Sequence, residues 1–152
     1  RLISFCTSVI IRPEILSLFK RPAYNFHPGP PSYPGVHSAN FAVYEGATRF
    51  GATAHVISED IDGGPIVGVE WFDVTEHIYS ERLEERAFTH LFQLFKTLAP
   101  ALVDMKLDLP VIEESWSGPA RTTQEYEKLS QPPAVMSDEE RRLRERAFGP
   151  VT

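Results

Sequence analysis

The sequence predicts an α/β fold, because short apolar segments typical of buried strands alternate along the chain with segments of helical periodicity. A second observation is the long amphipathic segment at 80–103, which would form a helix able to cover one face of a sheet. The chain has 152 residues, about one domain's worth, and can bury a sizeable core. The alternation of strands with helices favours parallel connections in the sheet.

Strands and helices are expected in the following order. The strands lie at 2–5, 24–27, 51–58 and 66–74, each a short run rich in apolar or β-branched residues. The helices lie at 12–19, 37–44, 80–103, 121–129 and from 138 onward. The long helix has a continuous apolar stripe with steps of three or four residues, formed by Leu83, Ala87, Leu91, Phe95, Leu98 and Leu102.

Proline, glycine and serine residues mark the expected boundaries of these elements. Pro13 lies in the first turn of the first helix, where its missing N–H costs little. Pro28 stops the second strand, and Gly46 is the expected C-cap of the second helix. The turn Asp62-Gly63-Gly64-Pro65 separates the last two strands. Ser137 is the expected N-cap of the last helix, within a capping box.

Charge and cysteine content exclude several classes of protein. Fifteen basic and 21 acidic residues give a net charge of −6, so electrostatics supply no general affinity for nucleic acid or for an anionic membrane. A single cysteine, Cys6, excludes an internal disulfide and a cysteine-rich zinc site. The five histidines lack the spacing of metal ligands, so no metal is expected. No apolar run approaches the ~20 residues that span a bilayer, so we expect a soluble and most simply cytoplasmic protein.

One pair of polar residues has the arrangement of a catalytic site. Asn25 and His27 lie two apart on a predicted strand, so their side chains share one face at its carboxyl end. An amide N–H and an imidazole aimed at one point can stabilise an oxyanion, and the imidazole can also move a proton. Asp62, held on a tight turn, is the best candidate to orient the histidine. The residues alone leave a purely structural role open.

Motifs in a fixed order along residues 2–103 resemble the folate-dependent formyltransferase family. They are Asn25-Phe26-His27-Pro28, Tyr33-Pro34-Gly35, Gly51-Ala52-Thr53-Ala54-His55 and the run from Glu59 to Val67. The family includes glycinamide ribonucleotide, methionyl-tRNA and sugar-amine formyltransferases and formyltetrahydrofolate hydrolase. The resemblance implies a Rossmann-like sheet with flanking helices. It also implies an enzyme in which an amine attacks the formyl carbon of 10-formyltetrahydrofolate.

The resemblance also assigns roles to individual residues. Asn25 and His27 would hold the tetrahedral oxyanion, and Asp62 would position His27 and a water that relays protons. His55 would be an auxiliary group beside them. The pterin of the co-substrate would lie in a pocket lined by Ile10, Ile11, Ser58, Glu59, Asp60 and Ile61. Residues 1–105 would then form the catalytic region, and 106–152 a proline-rich and helical C-terminal extension.

Two departures from the family pattern stand out. The loop that begins with His27-Pro28-Gly29 is one residue shorter than usual, which alters its shape near the formyl group. The chain is also expected to enter the family's sheet near its fourth strand. The glycine-rich turn that binds the acceptor's phosphate in the ribonucleotide enzyme lies before that point. A sheet edge exposed in this way would invite pairing with a second chain, so a homodimer is expected.

Three functions therefore remain open. A formyltransferase acting on a small-molecule amine is the favoured function. The net negative charge and the lack of room for a C-terminal barrel argue against a tRNA substrate. A hydrolase that passes the formyl group to water is the nearest alternative, and free formate released without any amine would distinguish it. The third is a folate-binding or interaction module without activity, which would bind folate but turn over no amine.

Overall fold

The computed structural model describes residues 1–7, 9–104 and 107–150. Within these residues the chain forms a four-stranded sheet in the order β1-β2-β3-β4. The strands are β1 (Ile3–Phe5), β2 (Tyr24–His27), β3 (Arg49–Val56) and β4 (Ile66–Asp73). Five helices flank them: α1 (Pro13–Leu16), α2 (Ser38–Tyr44), α3 (Ser80–Val103), α4 (Thr123–Ser130) and α5 (Asp138–Phe148). The predicted α/β fold is confirmed.

The expectation of parallel connections is wrong for most of the sheet. Only β1 and β2 are parallel, whereas β2 with β3 and β3 with β4 are antiparallel. A parallel pair needs a crossover of a dozen or more residues, which the segment between β1 and β2 provides. The segment 57–65 is too short for a crossover and reverses the chain directly into β4.

Helix α3 begins and ends where its apolar stripe predicts. Leu83, Ala87, Leu91 and Leu102 are buried, while Phe95 and Leu98 are partly buried. The C-terminal part of the stripe, from Leu91 onward, packs with Tyr24, Phe26, Ala52, Ala54 and Val67 of the sheet. Leu83 and Ala87 pack instead in a cluster with Phe50 and Phe72. The sheet face opposite α3 is thereby left for the polar side chains described below. None of the helices in the described ranges is long and apolar enough to cross a membrane.

The C-terminal segment packs against the preceding part of the chain. Ala147 of α5 is fully buried in a second core cluster with Phe41, Phe50 and Phe72. Arg144 of the same helix donates a 3.0 Å hydrogen bond to the hydroxyl oxygen of Tyr44. The predicted division between residues 105 and 106 falls outside the described residues and stays a prediction.

Candidate active site

Four polar side chains meet on the sheet face opposite α3. Asn25 lies opposite His55 in the antiparallel pairing of β2 with β3, and His27 follows two residues later on the same face. Asp62, from the turn between β3 and β4, completes the group. The structure thus brings together the four side chains that the sequence indicated as catalytic candidates.

The carboxylate of Asp62 is the centre of this group. Its Oδ1 lies 3.3 Å from the amide nitrogen of Asn25 and 3.2 Å from Nε2 of His55. Its Oδ2 lies 3.3 Å from Nδ1 of His27 and accepts a 2.8 Å hydrogen bond from the backbone N–H of Gly35. Both oxygens therefore face donor groups, and removal of the negative charge would disturb all four contacts at once.

Asp62 is held in this place by backbone conformations that residues other than glycine rarely adopt. Asp62 has a φ of 44°, in the left-handed region that aspartate tolerates better than most residues. A Cβ atom at Gly64 would overlap the carbonyl oxygen of Val56, so the turn requires glycine there. Gly35 has a φ of 91°, which presents its N–H to the carboxylate. The Asp-Gly-Gly-Pro and Tyr-Pro-Gly motifs therefore build one site.

The pKa of the Asp62 carboxyl is held below its usual value. Burial alone would raise this pKa, but the hydrogen bond from His55, the interaction with the nearby His27 ring and the N–H of Gly35 outweigh burial. Asp62 is accordingly ionised at neutral pH. An ionised carboxylate at the centre of the group is suited to orient an imidazole and to accept a proton during a reaction.

The His27 ring is buried between two oxygen acceptors. Its Nδ1 faces Asp62, and its Nε2 lies 3.1 Å from the carbonyl oxygen of Tyr33. Burial lowers the pKa of His27, and the nearby Asp62 carboxylate only partly opposes this shift. The imidazole is therefore neutral at neutral pH, the form in which one ring nitrogen can take up a proton.

The loop after His27 packs directly against the ring of that residue. Gly29 passes so close to the ring that a Cβ atom there would overlap Nε2 of His27 and lie 2.9 Å from Oγ of Ser38. The carbonyl oxygen of Gly29 accepts a 2.8 Å hydrogen bond from the hydroxyl of Thr53 on β3. The loop therefore closes over His27 and fixes its ring, and this closure requires glycine at position 29.

A cavity of about 490 Å³ opens beside the four polar side chains. Asn25, His27, His55 and Asp62 all line it. The six residues expected to bind the co-substrate line it as well: Ile10, Ile11, Ser58, Glu59, Asp60 and Ile61. Ile10 and Ile61 are 69% and 56% exposed, so the cavity has apolar side chains that nothing in the described chain covers. An apolar rim beside convergent polar groups is typical of a small-molecule site.

Trp116 is a site residue that the sequence analysis missed. Its indole N–H donates a 2.8 Å hydrogen bond to the carbonyl oxygen of Gly64. Its ring also meets those of His55 and His27 edge-on, with centroids 5.1 and 6.2 Å apart. Trp116 thus supports both histidines and the turn that carries Asp62. A lone tryptophan in a loop gives no local signal of such a role.

Comparisons with known proteins show which family of proteins the chain is similar to. The formyl transferase family model matches residues 3–95. Phosphoribosylglycinamide formyltransferase of Bacillus subtilis is 30% identical over 78 residues, which are 51% of this chain and 40% of that protein. The chain spans less than half the length of the curated relatives that it matches.

Solved structures have the same fold. A 4-N formyltransferase from Francisella tularensis has a TM-score of 0.80 at 20% identity, covering 95% of this chain and 59% of that one. An N-formyltransferase from Helicobacter canadensis, solved with folinic acid and dTDP-3-aminofucose, has a TM-score of 0.74 at 20% identity, covering 96% of this chain and 54% of that one. Because the family model matches more than half of its residues, the chain belongs to the formyl transferase family.

Proposed function

We propose that this protein transfers the formyl group of 10-formyltetrahydrofolate to the amine of a small-molecule acceptor. The observation that carries the proposal is the single carboxylate of Asp62, which contacts Asn25, His27 and His55 at the wall of one cavity. This arrangement combines an ionised proton acceptor with a neutral imidazole and an amide. Acyl transfer to an amine needs these groups.

The reaction balances as a transfer between two nitrogens. The acceptor's nitrogen bonds to the formyl carbon, and the C=O electron pair moves onto the oxygen. The bond from that carbon to the donor nitrogen then breaks. The attacking amine loses one proton and the departing nitrogen gains one, so the products are a formamide and tetrahydrofolate.

The four polar side chains divide this work. Asp62, through a water, would take the proton from the amine and return one to the departing nitrogen. His27 would donate its single N–H to the oxyanion, in place of one of the two acceptors, Asp62 or the Tyr33 carbonyl, that face its ring nitrogens in the free protein. When His55 donates its Nε2 hydrogen to Asp62, one amide hydrogen of Asn25 also becomes available to the oxyanion, because the other already points at the carboxylate. Asn25 and His27 would thus act together.

The cavity supports a folate as the donor. A pterin has a flat apolar ring with amide-like donors and acceptors along its edge. The exposed side chains of Ile10 and Ile61 would contact its faces, and the loop 58–61 would supply polar backbone groups to its edge. The Helicobacter canadensis protein, which has the same fold, was solved with folinic acid.

Two measurements test the proposal together. Calorimetry with folinic acid should show binding to one site per chain. Incubation with 10-formyltetrahydrofolate and a panel of primary amines should then give tetrahydrofolate and a formamide. Formate released equally well without any amine would instead indicate a hydrolase, and folinic acid binding without turnover would indicate a binding module. Absence of folinic acid binding would contradict all three.

Replacement of Trp116 by phenylalanine tests the support behind the histidines. The variant loses the indole hydrogen bond to Gly64, so we expect the free energy of unfolding to fall by about 1 kcal/mol. Turnover should fall too, because the turn carrying Asp62 is less firmly held. Urea unfolding and initial rates measure the two effects.

Trp71→Phe is the matched control for this substitution. Its indole N–H donates to Glu114, away from the four polar side chains. This variant should lose stability without losing turnover. Equal losses of turnover in both variants would mean that Trp116 has no particular link to the site.

A further inference from the structure

Arg121 lies directly behind the loop whose backbone faces the Asp62 carboxylate. Its backbone N–H donates a 2.8 Å hydrogen bond to the carbonyl oxygen of Pro34, and its carbonyl oxygen accepts a 3.1 Å bond from the N–H of Val36. These two bonds flank Gly35, which pairs with Arg121 in an isolated parallel bridge. Gly35 is therefore held from one side by Arg121, while its own N–H points to Asp62 on the other.

The two backbones are in close contact at this bridge. A Cβ atom at Gly35 would overlap the backbone carbonyl oxygen and the backbone nitrogen of Arg121. The Gly35 N–H in turn lies only 2.8 Å from Oδ2 of Asp62, measured from its nitrogen. A shift of Arg121 would therefore move a donor that the Asp62 carboxylate needs.

The side chain of Arg121 joins this bridge to helix α2. Its guanidinium lies over the ring of Phe41, with 4.6 Å between its central carbon and the ring centroid. It also forms an ion pair with the carboxylate of Glu45, the residue that ends the helix. The Arg121 side chain is 18% exposed and Phe41 is buried, so the bridge is fixed to the core of the protein.

Tyr33 connects the same loop to the same carboxylate. Its hydroxyl donates a hydrogen bond to Glu45, and burial together with this carboxylate raises the pKa of Tyr33 to about 12. The backbone carbonyl oxygen of Tyr33 lies 3.1 Å from Nε2 of His27. Glu45 thus stabilises both the carbonyl that faces His27 and, through Arg121, the N–H that faces the carboxylate of the site.

We propose that Arg121 is a positioning residue of the active site, which through its ion pair with Glu45 keeps the Gly35 N–H on the Asp62 carboxylate. Without the ion pair, the loop would move away from Asp62. The carboxylate would then lose one of its four donor contacts and the orientation that proton transfer needs. The expected effect on turnover rests on the proposed function, whereas the effect on the titration of Asp62 does not.

NMR titration of the Asp62 carboxyl carbon tests the proposal. The Gly35 N–H lowers the pKa of Asp62, so loss of this contact should move the midpoint to higher pH. Arg121→Met keeps an apolar stem over Phe41 but removes the ion pair, and should show this upward shift. Glu45→Met breaks the same pair from the other side and should also shift the midpoint upward. A direct effect of charge would have opposite signs in the two variants, because one loses a cation and the other an anion.

The titratable groups that face Asp62 are His27 of β2 and His55 of β3, and both variants retain them. Initial rates supply the second readout. In Arg121→Met, kcat should fall about tenfold, the effect of one hydrogen bond, while folinic acid affinity stays unchanged. Arg121→Lys keeps a cation that can reach Glu45, and should keep the wild-type midpoint and rate.

Arg82→Met is the matched control for these variants. Arg82 is an exposed arginine of α3 that pairs with Glu85, away from the four polar side chains. This substitution also breaks an arginine–glutamate pair, so it should change neither the Asp62 midpoint nor the rate.

The outcomes separate this proposal from the proposed function. An unchanged Asp62 midpoint in both Arg121→Met and Glu45→Met would overturn the positioning role, and so would shifts in opposite directions. A wild-type protein that binds no folinic acid would overturn the proposed function. The titration, which needs no folate, would still decide the role of Arg121.

Discussion

Replacement of Asp62 by asparagine should lower the rate of formyl transfer by about two to four orders of magnitude, the range expected on loss of an acid–base group. Asparagine tolerates the left-handed conformation at this position, so the turn should be kept. Its amide, however, can accept hydrogen bonds on one side only. Its NH₂ group cannot accept hydrogen bonds, and it would face one of two pairs of donors. One pair is His27 and the N–H of Gly35, and the other is His55 and the amide of Asn25.

The same substitution should change how stability depends on pH. The pKa of Asp62 is lower in the folded chain than in the unfolded one. Its ionised form therefore stabilises the fold above the unfolded pKa, and this stabilisation is lost as the pH falls through the folded pKa. Asp62→Asn should lack this loss in acid. Urea midpoints measured across acid pH values report the difference.

Asp73→Asn provides the control, because Asp73 is an exposed carboxylate at the end of β4. It should keep the wild-type rate of tetrahydrofolate formation from 10-formyltetrahydrofolate with the best amine acceptor. A wild-type rate in Asp62→Asn would reduce Asp62 to a structural residue of the turn. The proposed proton path would then have to start elsewhere.

Local patterns in the sequence predict much of the fold. Helix α3 has the predicted bounds, because its apolar stripe repeats over many turns. Strand β2 also has its predicted bounds, because Pro28 cannot continue a strand. The strand directions could not be predicted, since a short apolar segment carries no information about its partner. Strand β3 lies two residues earlier than expected for the same reason: its ends depend on the pairing with β4.

In the candidate site, too, local sequence patterns predict some of the residues and not others. The meeting of Asn25 with His27 follows from the two-residue period of a strand, and Asp62 from the chemistry of its turn. The contributions of Trp116 and of the Gly35 N–H depend on contacts between segments far apart in the chain. The contribution of these residues depends on their position in the folded chain, which no short sequence motif encodes.

Replacement of His27 by alanine should also lower turnover by about two to four orders of magnitude, because the neutral imidazole beside Asp62 is lost. Folinic acid affinity should change little, since the residues expected to contact the pterin lie on other segments. Stability should respond to pH as well. The pKa of His27 is lowered on folding, so the unfolded chain takes up the proton first as the pH falls below about 6.5.

The wild-type protein should therefore lose stability over that acid range, and His27→Ala should lose less of it. His90→Ala is the matched control, because His90 is a partly buried histidine of α3 that stacks on Phe72, away from Asp62. This control should keep the wild-type turnover. If His27→Ala instead kept full turnover, the oxyanion would have to be held by Asn25 without the imidazole. His27 would then serve only to fix the loop at Gly29.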